Sequence, residues 1–405
     1  MKHSAFYKDK YSGIDISGIR TVEDLQKLPV TTKEDLQLRN KDFICVGRGM
    51  IIDYLTTSGT LGAPVTFVET ENDLQRLALN ELMSFRCANA TQDDVFQLMV
   101  TLDRRFMAGL AYFLGLRKLG AGIVRVGPGN PELQFDTIRR TGANKLVTIP
   151  SFLLKLISYA EENGIDYKSF GIEAAVCIGE PIRDKDLNLN KLGERIKSKW
   201  DIKLYNTYAS TEMGASFTEC DEGVGGHLVP EILIIEFLDE NDKPVKEGEL
   251  GEVTITNIGV EGMPLVRFKT GDMCYHYTEP CRCGRNSLRV GPIIGRKNQM
   301  LKYKGTTLFP QSLYDNLVEI PGVRNYLIEV STNSIDTDEI LVRIGTEDKR
   351  PEFVKYIKDH FRAKLRVAPE VELMDPSDVE KLQFGPMSRK AVTFIDKRKG
   401  HGTSQ

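Results

Sequence analysis

The residues best suited to chemistry fall in short loops and in a cysteine-bearing region. In Thr57-Ser58-Gly59-Thr60-Leu61-Gly62-Ala63-Pro64, glycines and hydroxyls alternate between apolar runs that end at Leu55 and restart at Val65. Such a loop offers backbone N–H groups and hydroxyl donors to the oxygens of a polyphosphate, and its glycines let it close over them. The spacing is not G-x-x-x-x-G-K-[ST], and the loop opens toward a strand-like run, so a Walker-type reading fails. A hairpin turn rich in turn-forming residues accounts for the same composition. Tyr205-Asn206-Thr207-Tyr208-Ala209-Ser210-Thr211-Glu212 follows a predicted strand, at the kind of edge where open α/β sheets bind ligands. An aromatic ring and a carboxylate there can stack a base and hold a magnesium ion. In Arg267-Phe268-Lys269-Thr270-Gly271-Asp272, the last carboxylate can accept hydrogen bonds from ribose hydroxyls, or serve only as a turn residue.

Cys281-Arg282-Cys283-Gly284-Arg285 sets two thiols in a glycine turn, and Cys220 and His227 flank the glycine-rich Asp221-Glu222-Gly223-Val224-Gly225-Gly226. Three thiolates and an imidazole make a closed tetrahedral zinc site wherever the fold brings both halves together, although C-x-C is a looser signal than paired C-x-x-C. Cys45, Cys87, Cys177 and Cys274 read as small apolar packing residues.

Positioning these loops requires a sheet. The middle of the chain alternates apolar runs with amphipathic stretches, which predicts parallel strands wrapped by helices. Strands are predicted at Val95–Val100, Ile123–Val126, Lys145–Ile149, Ala174–Ile178 and Lys203–Tyr205. Helices are predicted at Ala108–Lys118, Pro131–Thr141, Ser151–Asn163 and Asp184–Trp200, with Gly120, Gly142 and Gly164 as stops. From about Glu231 the texture becomes β-rich, with Ile232–Leu238 and Gly251–Thr256 about a polar turn. After Gly295-Arg296 a compact α+β stretch begins. The expected architecture is therefore a large N-terminal α/β domain with a β-rich subdomain, residues 1–294, and a small mobile α+β C-terminal domain, residues 295–405.

Composition bounds the partners. The chain has 405 residues, 41% hydrophobic and 27% charged, with 54 Lys+Arg against 57 Asp+Glu. That near balance gives no sign of a nucleic-acid or anionic-membrane partner, and no apolar run approaches the roughly 18–20 residues that cross a bilayer. The seven cysteines are mostly scattered and odd in number, which predicts free thiols and a cytoplasmic location.

In sequence and order, Thr57–Pro64, Gly179-Glu180-Pro181, Tyr208–Glu212, Thr270–Asp272, Gly295-Arg296 and a lysine near the C-terminus resemble the motifs of adenylate-forming enzymes. More narrowly, Thr21-Val22-Glu23-Asp24-Leu25-Gln26-Lys27-Leu28-Pro29-Val30-Thr31-Thr32-Lys33-Glu34-Asp35-Leu36 is similar to the N-terminal signature of the phenylacetate-CoA ligase branch. The resemblance implies ATP-dependent adenylation of a carboxylic acid, aryl or arylacetic, followed by transfer to the thiol of CoA with release of AMP and pyrophosphate. It also implies that Ser58, Gly59, Thr60 and Gly62 hold the β,γ-phosphates and that Gly179, Glu180 and Pro181 border the adenine. Tyr208 would stack beside it, with Thr211 in the same nucleotide loop, Glu212 on Mg²⁺ and Asp272 on the ribose. In Ser388-Arg389-Lys390-Ala391-Val392-Thr393-Phe394-Ile395-Asp396-Lys397-Arg398, Lys390 matches the catalytic lysine that bridges carboxylate and α-phosphate, as a point charge on a flexible stem. Its alternative is a solvated lysine in a basic tail.

Arg296, counted among the nucleotide-binding positions, and Asn298 stand where the family turns its C-terminal domain between half-reactions. Two departures mark this chain. Asn298 and Gln299 replace the usual acidic pair at the hinge, and Leu61 and Ala63 replace the customary Thr and Lys of the phosphate loop, which predicts weaker ATP binding. Relatives with a Cys-x-Cys-Gly-Arg element look metal-binding, so the resemblance adds weight to structural Zn²⁺ on Cys220, His227, Cys281 and Cys283. The acyl pocket is expected around Ile149-Pro150-Ser151-Phe152 and the loop before Glu212. A carrier-protein phosphopantetheine or an amine is the alternative acceptor, a nucleotide-binding protein without catalysis is an alternative of another class, and relatives in this branch often look dimeric.

Overall fold

Ala174-Ala175-Val176-Cys177-Ile178 is apolar at every position, a pattern that suits a strand covered on both faces, and all five residues are buried within a nine-stranded sheet. The computed structural model describes residues 3–57, 65–304, 306–333, 338–383 and 392–398. The chain divides into two compact units, Met1–Ile293 and Ile294–Gln405.

In the first unit, short helices α1 (Ala5–Lys10) and α2 (Lys33–Leu38) precede an antiparallel hairpin of β1 (Asp53–Thr56) and β2 (Thr66–Glu69). The main sheet then takes β3 (Val95–Leu98), β4 (Gly122–Arg125), β5 (Lys145–Thr148), β6 (Ala174–Ile178), β7 (Lys203–Ser210), β8 (Ala215–Thr218) and β9 (Gly226–His227). The chain next forms an antiparallel meander of β10 (Leu233–Leu238), β11 (Gly251–Asn257) and β12 (Phe268–Cys274). It returns to the main sheet with β13 (His276–Tyr277) and β14 (Arg289–Val290), giving the order β13-β14-β9-β8-β7-β6-β5-β3-β4. Strands β4, β3, β5, β6 and β7 are mutually parallel, and pairing turns antiparallel from β8 onward. The β-rich texture after Glu231 is therefore shared between two sheets.

Helices α3 (Glu71–Cys87), α4 (Met107–Leu119), α5 (Pro131–Thr141), α6 (Pro150–Glu162) and α7 (Lys191–Lys199) cover the sheet. Side chains alternate along the strands, so Leu146, Ala175 and Cys177 join the core under α5, α6 and α7, while Val147, Ala174, Val176 and Ile178 join Phe85, Tyr112 and Leu116 of α3 and α4. Thr70 and Asp73 satisfy each other's backbone N–H groups at the start of α3. The helix expected at Asp184–Trp200 begins only at Lys191. Asp184 Oδ1 accepts the N–H groups of Asp186 and Asn188 and Leu187 takes a positive φ of 67°, a turn that competes with helix, and Asn190 then caps α7. Strand β7 runs past the expected Tyr205 to Ser210, because antiparallel pairing of Ser210 with Ala215 holds it extended.

In the second unit, antiparallel Asn325–Thr332 and Asp338–Gly345 are flanked by parallel partners Phe394–Asp396 and Glu370–Met374. Helices Pro310–Glu319 and Pro351–Leu365, each with proline in its first turn, contribute Leu313, Leu317, Ile357 and Phe361 to its core. No helix among the described residues is long and apolar enough to cross a membrane.

Candidate active site

Parallel strands β6 and β7 pair Ile178 with Thr207, so the loops that leave them start side by side at one edge of the sheet. Gly179 turns the first loop with φ +76°, a conformation glycine adopts without a steric penalty. Glu180 reaches the first turn of α6, where Oε2 accepts the Ser151 N–H at 2.8 Å and Oε1 its hydroxyl at 2.9 Å. The Pro181 carbonyl accepts from the Asn190 side chain at 2.8 Å, and the Ile182 N–H donates to Asn206 Oδ1 at 3.2 Å. Gly179-Glu180-Pro181 is thus tied both to α6 and to β7.

On β7, the Tyr208 hydroxyl donates to Asp272 Oδ2 at 2.8 Å, across 64 residues of chain. Burial and the Asp272 charge push this phenol well above its ordinary value, and Phe217 stacks on its ring at 5.8 Å between centroids. Asp272 reaches this place through a bulge. Between β11 and β12, Glu252 faces Met273 but Thr254 faces Lys269, which leaves extra residues on β12 around Gly271 at φ +81°. The basic neighbours are used elsewhere: Arg267 pairs with buried Glu236 and Lys269 with Asp242 and Glu252.

Thr211 and Glu212 lie half-buried in the turn between β7 and β8. Arg76 of α3, which the sequence does not single out, steadies the end of this turn. Its guanidinium donates to the carbonyls of Gly214 at 2.7 Å, Ile232 at 2.7 Å and Ile258 at 2.8 Å. Burial pushes it down to about 10, still cationic at neutral pH.

Beside these loops is a cavity of about 240 Å³. Ile178, Gly179, Thr207, Ser210 and Thr211 line it from the sheet, and Leu77, Glu81, Met107, Ala111 and Tyr112 from α3 and α4. Burial is graded across it: Phe106 is 42% exposed, whereas Glu81 is 3% and Tyr112 2% exposed. The expected pocket segment Ile149-Pro150-Ser151-Phe152 does not line this cavity. It opens α6, and Phe152 packs into the core on the other face of the sheet. The loop before Glu212 reaches this cavity through Ala209, Ser210 and Thr211; the α3 and α4 residues carry no motif and are visible only once those helices are placed.

The neck of the β1–β2 hairpin is closed by Thr57 N–H to Val65 carbonyl at 3.0 Å and Val65 N–H to Thr57 Oγ1 at 3.1 Å. Thr56 N–H donates at 3.1 Å to the carbonyl of Arg105, the residue before cavity-lining Phe106. Ser58, Gly59, Thr60 and Gly62, with Leu61 and Ala63, lie outside the described residues, as does Lys390. In the second unit, Arg296 and Asn298 are half-buried; Arg398 donates to the carbonyls of Asn298 at 3.1 Å and Met300 at 2.9 Å, and pairs with Asp338 and Asp396.

At the antiparallel end of the main sheet, Cys220, His227, Cys281 and Cys283 come together with all four ligand atoms within 4.8 Å of one another. Cys220 Sγ lies 3.7 Å from Cys281 Sγ, and His227 Nε2 lies 3.4 Å from Cys220 Sγ and 3.5 Å from Cys283 Sγ. Tetrahedral zinc with Zn–S of about 2.3 Å requires ligand edges of about 3.8 Å, and somewhat less to nitrogen, so the donor set and its spacing fit the ion. Pairing of β9 with β14, His227 opposite Arg289, joins the two halves, and Gly226 permits close packing on Phe217 where a Cβ would collide with its carbonyl.

Comparison with known proteins places this geometry in context. Residues 29–262 match the family model described as AMP-binding enzyme, and residues 305–398 that of the AMP-binding enzyme C-terminal domain. The chain is similar to the phenylacetate-coenzyme A ligase of Thermus thermophilus, with 28% identity over 82% of this chain and 75% of that protein. It is similar to the enzyme of the same name from Escherichia coli, with 25% identity over 91% of this chain and 86% of that protein. In structure it resembles 2-hydroxyisobutyryl-CoA ligase in a postadenylation state, with a TM-score of 0.81 and 21% identity, covering 98% of this chain and 86% of that one.

Proposed function

This chain belongs to the AMP-binding enzyme family, and from that premise we propose that it is an AMP-forming acid–thiol ligase that adenylates a carboxylic acid and transfers the acyl group to CoA. The phenylacetate-CoA ligase relatives support an aryl or arylacetic acid and CoA as the thiol. The observation that carries the reading is the meeting of Tyr208 and Asp272 at the carboxyl edge of the parallel strands, beside a cavity shared with Gly179 and Thr211. That edge accommodates a nucleoside, and the cavity accommodates a compact acid next to it.

In the first half-reaction the acid's carboxylate oxygen attacks the α-phosphorus of ATP, and the bond to pyrophosphate breaks. In the second, a thiolate attacks the acyl carbon and AMP leaves with the electrons of the broken C–O bond. Little covalent work falls to the protein, which must align the reactants and meet the charge that builds on the phosphoryl oxygens. Asp272 accepts from the ribose hydroxyls while the Tyr208 hydroxyl fixes its orientation, and Gly179-Glu180-Pro181 borders the base. The hairpin loop from Ser58 through Gly62 donates to the terminal phosphates, and Lys390 brings its ammonium to the α-phosphate and the attacking carboxylate. Glu212 would hold Mg²⁺, which neutralises phosphate charge when bound. A turn of the C-terminal unit at Arg296 and Asn298 would carry Lys390 away before thiol attack.

The cysteine-histidine cluster is read as structural zinc. Four protein donors would fill the tetrahedral shell of the ion and leave no position for a substrate. It would tie β9 and β14 together beyond β8. Metal analysis of protein purified without chelator should find one equivalent of zinc, and none would remove the site.

Pyrophosphate exchange into ATP over a panel of carboxylic acids tests the adenylation, with CoA and carrier-protein phosphopantetheine compared as acceptors. We expect acid-dependent exchange and a CoA thioester formed in step with AMP; no exchange with any acid overturns the reading. Lys390→Ala should lower exchange by at least about 100-fold, the scale of losing one positioned transition-state charge, while sparing the reaction of preformed acyl-adenylate with thiol. Equal loss of both steps would remove Lys390 from the adenylation step.

A further inference from the structure

Glu81 is a buried ionisable side chain in a cavity whose helix-borne wall is otherwise mostly hydrocarbon. It projects from the middle of α3, is 3% exposed, and lines the cavity beside Leu77, Met107, Ala111 and Tyr112. Its backbone is held there by α4, where Gly115 has no side chain and a Cβ would lie 2.9 Å from the Glu81 carbonyl carbon. A neighbouring hydroxyl, that of Ser216, favours the charged form of the carboxyl, but burial outweighs it and pushes Glu81 up to about 7. That hydroxyl is also shared with Asn80 Oδ1 at 3.1 Å and Ser84 Oγ at 2.7 Å. A single O–H cannot satisfy both carboxyl oxygens and Asn80 together. The titratable group that shares the pocket is Tyr112, whose phenol is driven well above its usual value by burial and by Glu81. Around neutral pH, then, Glu81 exchanges between two forms, and in each this cavity-lining residue keeps an acceptor oxygen.

We propose that Glu81 determines acid specificity: the pocket selects a carboxylic acid that carries a hydrogen-bond donor, a hydroxyl or an amino group, at the end remote from its carboxylate. This rests on the reading of the cavity as the acyl site. The carboxylate to be adenylated lies toward Gly179 and Thr211, at the more exposed end, and the far end of the molecule reaches Glu81 at the buried end. An unsubstituted apolar ring would press a dehydrated carboxyl against hydrocarbon and leave it with no partner beyond the shared Ser216 hydroxyl, a loss that sites built around a hydrogen bond convert into strong discrimination. The cavity, about 240 Å³, falls below the roughly 300–1,000 Å³ of pockets for drug-sized ligands, which points to a single-ring or short-chain acid.

The test compares phenylacetate, 4-hydroxyphenylacetate and 4-aminophenylacetate in pyrophosphate exchange with the wild-type protein, Glu81→Gln and Glu81→Leu. We expect kcat/KM for a donor-bearing acid to exceed that for phenylacetate by at least about 10-fold in the wild type. Glu81→Leu should reverse the order, and Glu81→Gln, which retains a carbonyl acceptor, should keep part of the preference. The hydroxyl and amino arms distinguish which donor is favoured. Direct binding of the three acids to the wild-type protein, by calorimetry in the presence of a non-hydrolysable ATP analogue, needs neither turnover nor a folded variant. Phenylacetate used or bound as well as both donor-bearing acids overturns the proposal, even where adenylation is observed. Absence of exchange with any acid overturns the adenylation reading instead, and the binding order still decides the role of Glu81.

Discussion

On one face of the main sheet, α5, α6 and α7 seal a core in which Leu153, Leu156, Ile157 and Ile196 are wholly buried. On the other, toward β7 and β8, α3 and α4 enclose Asn80, Glu81, Ser84, Ser216 and Thr218, and beside them a cavity. The same strands supply both faces. The first is packed for stability, with hydrocarbon against hydrocarbon. The second retains unfilled volume and a desolvated acid, both of which cost free energy in the empty protein. A fold whose net stability is only about 5–15 kcal/mol can carry such a face because the opposite one is closed and apolar.

Removing side chains from each face should break the symmetry in opposite ways. Leu156→Ala on the sealed face should lower unfolding free energy by about 2–5 kcal/mol, by lost transfer energy and a new cavity. Its order of preference among acids should be unchanged; denaturant melts and pyrophosphate exchange together check this, and an altered order would show that the faces are coupled.

Titration sharpens the contrast. The Glu81 carboxyl is raised from 4.5 to about 7 by burial, so its penalty is absent at pH below about 4.5. The penalty grows as pH rises and is complete above about 7, at about 3 kcal/mol by linkage. Glu81→Gln should therefore gain stability relative to wild type between pH 5 and 8. The comparison must be made as a difference between the proteins, because Glu69 is also pushed up, to about 8, by burial and by Asp73 and Asp53. Parallel stability curves would show that Glu81 ionises freely.

Gly115→Ala should cost about 1–3 kcal/mol by overpacking α4 against α3. It should also raise the KM for the acid, because the added methyl displaces Glu81; a stability loss with an unchanged KM would place Glu81 outside the acyl site. The smallest effect is expected for Tyr208→Phe. It removes one hydrogen bond to Asp272 and should weaken ATP binding by about 1–2 kcal/mol, read as KM for ATP, with acid preference unaltered.

Much of the architecture is legible in the sequence because it is local. Pro131–Thr141 and Ala174–Ile178 match the structure residue for residue, since a proline start, a glycine stop and an unbroken apolar run each act within a few residues. Asp184–Trp200 misleads because helical spacing is visible while the carboxylate turn at Asp184 is one of several local options. The sequence offers each end of the Tyr208–Asp272 contact as a loop of suitable chemistry, but their meeting depends on a bulge in β12 that leaves only a glycine as its sign.

By itself, then, the sequence determined the succession of strands and helices, the order of the loops proposed to hold the nucleotide and the donor types of the cysteine-histidine cluster. Those features follow from periodicity, turn chemistry and residue identity. Tertiary structure alone decided that Cys220 and His227 meet Cys281 and Cys283, that Ile149–Phe152 turn away from the cavity, and that Glu81 enters it. In a helix pattern Glu81 is one more polar residue. Its burial, and the raised pKa that burial causes against the opposing Ser216 hydroxyl, arise only when α4 packs on α3 at Gly115 and β8 closes beside it, contacts between distant parts of the chain that no local pattern encodes.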